Sequence, residues 1–310
     1  MKVIDSFDQL PVLNYPVVTS GMFDGVHYGH QKILRDVVDQ AKGHKGESVV
    51  ITYWPHPRFV LGKNPSQLRL LTTLEEKVQL IEACRIDYLV KIPFTRSFSQ
   101  LSAEEYISHV LINGLKTKKL VIGYDHKFGR NQEGSFDYLL QHKDRLGFEI
   151  EEISRQDIEH VGVSSTRIRE ALLSGNISTA NDYLGRAYCI HGLVTKGEQI
   201  GRKIGFPTAN VYVPEEYKLI PADGVYAVMV SLDNRFLKGM LNIGQRPTVA
   251  GQSRTIEVNL FNFDEDIYGL SLTVEFVAHL RNEQRFDSLD ALKEQLALDK
   301  QLALAALNKY

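Results

Sequence analysis

Val17-Val18-Thr19-Ser20-Gly21-Met22-Phe23-Asp24-Gly25-Val26-His27-Tyr28-Gly29-His30 runs from an apolar stretch, through a glycine-rich turn, into an amphipathic segment. Three glycines in ten residues at a strand-to-helix turn let backbone N–H groups approach a phosphate, and the helix N-terminus adds partial positive charge. His27 and His30 stand three apart, so at a helix start both can face one ligand. The glycine spacing is neither Gly-x-Gly-x-x-Gly nor Gly-x4-Gly-Lys-Ser/Thr, which disfavours a dinucleotide redox fold and excludes a P-loop. No third ligand stands nearby to make the pair a zinc site. Read alone, the stretch is also compatible with a glycine turn carrying two incidental histidines.

Outward from this turn the same texture repeats. Ser48–Tyr53, Tyr88–Val90, Leu120–Ile122 and Phe148–Ile150 read as short strands. Helical segments lie between them, two opening on capping boxes, Thr73-Leu74-Glu75-Glu76 and Ser102-Ala103-Glu104-Glu105. Apolar strands each followed by a helix imply a doubly wound, Rossmann-like parallel sheet, with ligands beyond the strands' carboxyl ends. From about residue 184 the pattern changes. Val225–Val230, Phe236–Ile243, Thr255–Phe261 and Ser271–Val277 are short runs with turns between them, and helical periodicity returns only from Ser288 to about Leu307. This predicts a small closed β-barrel with a C-terminal helix. The expected domains are 1–182 and 183–310.

The 310 residues carry 36 Lys+Arg against 38 Asp+Glu. Up to residue 180 the balance is 22 to 22, and beyond it 14 to 16. Neither half has the basic excess of a protein that neutralises a nucleic-acid backbone. No apolar run approaches the roughly 18 residues of a membrane span. The opening Met1-Lys2-Val3-Ile4-Asp5 has no signal-peptide core, and the two cysteines, Cys84 and Cys189, are far apart. A cytoplasmic protein without nucleic-acid or membrane partners is expected, as a monomer or weak homo-oligomer.

A second polar cluster, Ser164-Ser165-Thr166-Arg167-Ile168-Arg169, begins another helix. It reads either as helix caps with a solvated basic face, or as a hydroxyl-and-guanidinium clamp on a polyphosphate. With the first turn, in this order and on this fold, it resembles the nucleotidylyltransferase superfamily. The N-terminal half resembles more closely the adenylyltransferase module of bacterial bifunctional riboflavin kinase/FAD synthetases. That family's Gly-x-Phe-Asp-Gly-Val-His-x-Gly-His stands at 21–30, its Pro-His-Pro at Pro55-His56-Pro57, and its Ser-Ser-Thr-x-x-Arg at 164–169. Its Gly-x-Asp/Asn-Phe-x-Phe-Gly loop appears as Gly123-Tyr124-Asp125-His126-Lys127-Phe128-Gly129, with His126 where Phe is usual.

The C-terminal half extends the resemblance. Gly201-Arg202-Lys203-Ile204-Gly205-Phe206-Pro207-Thr208-Ala209-Asn210 is similar to the riboflavin kinase Gly-Phe-Pro-Thr-Ala-Asn segment, and Arg281-Asn282-Glu283-Gln284-Arg285-Phe286 to its Arg-x-Glu-x-x-Phe. Thr255-Ile256-Glu257-Val258-Asn259-Leu260 alternates, with Thr255, Glu257 and Asn259 on one side. An outward glutamate there is commonly just solvated.

The resemblance implies two reactions, phosphorylation of riboflavin to FMN by ATP and then adenylylation of FMN to FAD with release of pyrophosphate. It implies Thr208 and Asn210 as Mg²⁺ ligands, Glu257 as the base on the riboflavin hydroxyl, and Gly201, Gly205 and Pro207 around the kinase ATP. In the other module it implies His27, His30, Ser165 and Arg169 in adenylyl transfer. There Gly21, Phe23, Asp24, Gly25, Gly29, Ser164 and Thr166 would surround ATP. Flavin contacts would come from His56, Asp125, His126 and Phe128, and in the barrel from Arg281 and Phe286. The competing readings are a single-activity nucleotidylyltransferase and a flavin-sensing protein without catalysis. Released ADP and FAD would discriminate them.

Overall fold

The computed structural model describes residues 1–154, 162–197, 201, 204–248 and 251–310. The chain divides into two compact units, Met1–Ser165 and Thr166–Tyr310.

The first unit holds six parallel strands, β1 (Lys2–Ile4), β2 (Val17–Ser20), β3 (Ser48–Trp54), β4 (Tyr88–Pro93), β5 (Lys119–Gly123) and β6 (Glu149–Ile153). Their order across the sheet is β1-β4-β3-β2-β5-β6. Successive residues go to opposite faces. Val18, Val49, Val90 and Leu120 join one core, while Val17, Val50, Leu89 and Val121 join the other. That period of two, apolar on both sides, is why these strands read as continuous hydrophobic runs. Between strands run α1 (Tyr28–Gly43), α2 (Pro57–Leu61), α3 (Leu74–Ala83), α4 (Ala103–Tyr106) and α5 (Phe136–Leu146). Helix α4 continues as a wider π-helical stretch, Ile107–Gly114. Both capping boxes form, Thr73 with Glu76 and Ser102 with Glu105.

The order reverses direction at β2, whose neighbours β3 and β5 lie on opposite sides. Loops leaving such a switch point diverge and open a crevice at the strands' carboxyl ends. The glycine turn after β2 and the 123–129 loop after β5 both leave from this place.

Helix α6 (Ser165–Leu173) starts on the last residue of the first unit and runs on in the second, where α7 (Ile177–Leu184) follows. The barrel strands are β7 (Tyr188–Thr195), β8 (Ala209–Tyr212), β9 (Gly224–Leu232), β10 (Arg235–Thr248), β11 (Gly251–Leu260) and β12 (Ser271–Arg281), closed in the order β10-β11-β8-β7-β12-β9. All their pairings are antiparallel. Helix α8 (Leu289–Leu307) follows, placing Ala303 and Leu307 against Ala227, Met240 and Phe261. Helices α6 and α7 pack with the barrel although they precede it. Asn181 Nδ2 donates to Phe276 O at 2.8 Å, Tyr188 N to Asn181 Oδ1 at 2.8 Å, and Ala222 N to Leu172 O at 2.9 Å.

Candidate functional sites

In the first unit the turn after β2 is held in an uncommon backbone conformation. Phe23 (φ 48°), Gly25 (φ 83°) and Val26 (φ 39°) all occupy the left-handed region. For a β-branched residue this is a strained state that persists only when the surroundings impose it. The surroundings here are explicit. The buried Asp24 carboxylate accepts from Leu71 N at 3.0 Å and from Thr72 N at 3.2 Å. Gly25 N donates to Thr72 Oγ1 at 3.2 Å, and Ser165 Oγ donates to Asp24 O at 3.0 Å. The Phe23 ring lies in the core, and a Cβ on Gly21 would stand 3.1 Å from it. Asp24 and Phe23 therefore shape the turn with their side chains, while its backbone is tied in by Gly21 N to Ile51 O and Val26 N to Phe23 O.

His27 caps α1, its Nδ1 accepting from His30 N at 3.4 Å. An accepting Nδ1 places the proton of the neutral ring on Nε2. The two imidazoles stack with centroids 3.6 Å apart, and Phe23 meets His30 edge-on. Gly29 is buried in the first turn of α1, which contains no acidic residue, so no carboxylate of that turn offsets the helix's positive end. Ser165 thus joins the turn, with Ser164 exposed before it. Thr166 and Arg169 continue α6 into the second unit, the first exposed and the second half-buried.

On the other side of the crevice aromatic rings gather. Phe128 is buried, 5.2 Å from Tyr106 and 5.9 Å from the half-buried His126. Desolvation, helped by Lys127, pushes His126 down to about 4, so the ring is neutral at ordinary pH. Asp125 is exposed. His56 is buried as the cap of α2, its Nδ1 accepting from Arg58 N at 3.1 Å.

Two features escaped the sequence reading. Ser20, Tyr53 and Tyr106 close a triangle of hydroxyls, with edges of 2.8, 2.8 and 3.2 Å. Lys77, in the first turn of α3, is 1% exposed, and its pKa falls to about 8 through desolvation opposed by Asp24. No local signal in the sequence marks either feature, since both depend on partners distant along the chain.

In the barrel, Glu257 on β11 pairs directly with Asn210 on β8 and with Asn242 on β10. Thr208 Oγ1 donates to Glu257 Oε2 at 3.2 Å. Thr208 and Asn210 thus present two neutral oxygen donors beside Glu257, a hard pair that suits Mg²⁺ when phosphates and water complete its shell. Ile256, Val258 and Leu260 point into the core, and Thr255 and Glu257 are half-buried. Asn259 departs from the outward expectation: it is buried because its Nδ2 donates to Pro207 O at 2.6 Å, which fixes the segment before Thr208. Phe206 N donates to Gly201 O at 2.9 Å, and Gly205 has φ 86°, so these two glycines form the turn. Arg202 and Lys203 lie outside the described residues. A pocket of about 260 Å³ opens beside Pro207 and Thr208, walled by Phe263, Asp266, Ile267 and Tyr268.

Arg281 is engaged. Its Nε and Nη2 donate to Asp299 at 2.9 and 2.7 Å, Nη1 donates to Asn282 O, and the half-buried Phe286 ring lies 5.7 Å from its guanidinium. Asp299 is fully buried and also accepts from Gln295 Nε2 at 2.9 Å. The arginine ties the end of β12 to α8.

The chain matches the family model of FAD synthetase over residues 11–167 and that of riboflavin kinase over 184–307. It is 39% identical to the bifunctional riboflavin kinase/FMN adenylyltransferase of Escherichia coli strain K12, covering 92% of this chain and 90% of that one. Against the proteins of the same name from Haemophilus influenzae and Bacillus subtilis, identity is 38% and 36%, covering 96% and 93% of this chain and 96% and 91% of theirs. A solved structure described as a macrolide-efflux protein from Streptococcus pneumoniae superposes with a TM-score of 0.88 at 30% identity, over 97% of this chain and 98% of that one. Among the described residues here no helix is long and apolar enough to cross a membrane. Two family models in sequence, and relatives similar over nearly their full length, establish that the chain belongs to the bifunctional riboflavin kinase/FMN adenylyltransferase family.

Proposed function

We infer that the chain makes FMN from riboflavin and ATP, and FAD from FMN and a second ATP. The observation that carries the kinase half is the contact of Thr208 with Glu257, beside Asn210, on one barrel face. The riboflavin 5′-hydroxyl attacks the γ-phosphorus of ATP, and Glu257 orients the alcohol and takes its proton. Thr208 and Asn210 would hold Mg²⁺, which supplies charge neutralisation at the phosphates when bound. The turn of Gly201, Gly205 and Pro207 faces the phosphate end, and the neighbouring pocket suits the nucleoside.

In the first unit the FMN phosphate attacks the α-phosphorus of ATP. This nucleophile is already anionic, so no base is required. His27, His30, the N-terminus of α1 and the Ser165/Arg169 pair stabilise charge at the α-phosphate and the leaving pyrophosphate. By the family motif Ser164 and Thr166 serve the same ATP, with Gly21–Gly25 and Gly29 beside its phosphates. The flavin lies toward Asp125, His126 and Phe128, with His56 bracing the adjoining turn, while Arg281 and Phe286 border it in the barrel. The functional boundary falls at 182/183, because residues 164–169 serve adenylyl transfer whichever unit their helix packs with. The enzyme works in the cytoplasm as a monomer or weak homo-oligomer.

Chromatography of products from riboflavin, ATP and Mg²⁺ tests this. FMN with ADP, followed by FAD with pyrophosphate, is expected. FAD from supplied FMN without any FMN from riboflavin would reduce the protein to a single-activity adenylyltransferase.

A further inference from the structure

Strand β10 carries a glycine where the barrel face needs room. Gly244 lies two residues beyond Asn242, on the same face, and opposite Thr255 of β11. Its φ is ordinary, so the backbone does not demand glycine there. The demand is spatial: a Cβ at this position would stand 1.9 Å from Glu283 Oε1 and 2.6 Å from Glu283 Cδ. The Glu283 carboxylate therefore occupies the place of a side chain at 244. Asn242 Nδ2 stands 3.1 Å from the same point, so the amide and the carboxylate are close neighbours.

Asn242 is also the direct cross-strand partner of Glu257. Directly paired residues have Cβ atoms about 5 Å apart and diagonal ones about 7–8 Å. The face thus presents the Glu257 carboxylate, the Asn242 amide and the Glu283 carboxylate in a row. The chain leading to the exposed Glu283 is anchored two residues earlier, where Arg281 is locked to Asp299 and also donates to Asn282 O at 3.1 Å.

We propose that Asn242 and Glu283, admitted by Gly244, form a subsite for the secondary hydroxyls of a polyol whose terminal hydroxyl is delivered to Glu257. This rests on the kinase reading above and assigns the ribityl chain of the flavin its contacts. The chemistry fits: a carboxylate accepts from vicinal hydroxyls, and an amide both donates and accepts. Hydrogen bonds to a charged partner are the stronger kind, so loss of Glu283 falls on substrate recognition. A site built to hydrogen-bond hydroxyls rejects an analogue that lacks them.

The experiment compares riboflavin with a 10-(5-hydroxypentyl) flavin, which keeps the terminal hydroxyl and lacks the three secondary ones. The full chain is assayed as wild type, Glu283→Gln and Gly244→Ala. The second variant evicts the carboxylate with a methyl group while keeping Glu283 in the sequence. Each variant should raise KM for riboflavin about tenfold, change KM for the analogue less than twofold, and leave KM for ATP unaltered. An unaltered KM for ATP and unaltered turnover of the analogue in the kinase reaction report that the barrel of each variant is folded. Variants that retain the wild-type preference for riboflavin over the analogue would overturn the subsite. If the wild-type chain made no FMN at all, the kinase reading would fail instead. Riboflavin fluorescence titration then still decides the subsite, which equal Kd values in wild type and both variants would refute.

Discussion

In the first unit the groups proposed to meet the phosphates belong to a turn with three residues in the left-handed region and to the N-terminus of α1, capped by His27 and without an acidic residue in its first turn. In the barrel they are side-chain oxygens on short antiparallel strands, Thr208, Asn210 and Glu257. The difference follows from the nucleophile. A phosphate arrives charged and needs a fixed field of donors, which rigid backbone supplies. An alcohol arrives protonated and needs a base, which only a side chain supplies. The first unit therefore commits its carboxylate Asp24 to shaping the turn, whereas the proposed kinase site keeps Glu257 for the substrate.

The sharpest way to break this comparison is Glu257→Gln, which keeps the shape and removes the basicity. FMN formation should fall by roughly 10²–10⁴, mainly in kcat. FAD formation from supplied FMN should stay near wild type. Equal loss of both activities would make Glu257 structural, and undiminished kinase turnover would return it to a solvated strand residue.

The reciprocal variant, His30→Ala, should lower FAD formation by roughly 10²–10³ while FMN accumulates from riboflavin. Unchanged FAD synthesis in the purified variant would leave the stacked histidines a packing feature.

What the sequence revealed, and what it hid, separates along the same physical line. Strands with apolar residues on both faces, such as Ser48–Trp54, were legible because their whole length repeats one signal. The three-residue β1 and the four-residue β8 were not, since each buries a single residue and so repeats no apolar signal. Strand β8 was hidden further because its residues read as a phosphate motif. At the sites the residue types were legible and their directions were not. Asp24, Phe23 and Arg281 belong to recognisable motifs, yet their side chains turn to Leu71 and Thr72, to the core, and to Asp299. Direction is set by partners distant in sequence, and no local pattern encodes those. Lys77 and the Ser20–Tyr53–Tyr106 triangle were missed for the same reason.

Lys77 sharpens the comparison on the stability side. Its folded pKa, about 8, lies below the ordinary 10.5, because burial disfavours the charged ammonium. Between those values the unfolded chain binds the extra proton, so stability rises with pH. Denaturant unfolding of wild type should therefore gain stability from pH 8 to pH 10, on the order of a few kcal/mol. Lys77→Met should lack that gain. Parallel curves for the two proteins would mean that the folded ammonium keeps its ordinary pKa.

The smallest expected effect concerns His126, the one ring in the aromatic loop that departs from the family pattern. Its folded pKa of about 4 lies below the ordinary 6.5, chiefly through desolvation. Across the pH range where enzymes are usually assayed it is a neutral flat ring, and a phenyl ring offers the same stacking surface. His126→Phe should therefore keep FAD formation within about threefold of wild type, a change of less than about 1 kcal/mol. The pH dependence of stability should separate the two. As pH falls from 6.5 to 4 the unfolded histidine takes up a proton that the folded one refuses, so wild type loses stability there and the phenylalanine variant is spared that loss. If FAD synthesis collapses with the fold intact, the imidazole has a specific polar role that a stacking surface does not replace. Identical acid unfolding of the two proteins would show that the ring is solvated enough to titrate normally.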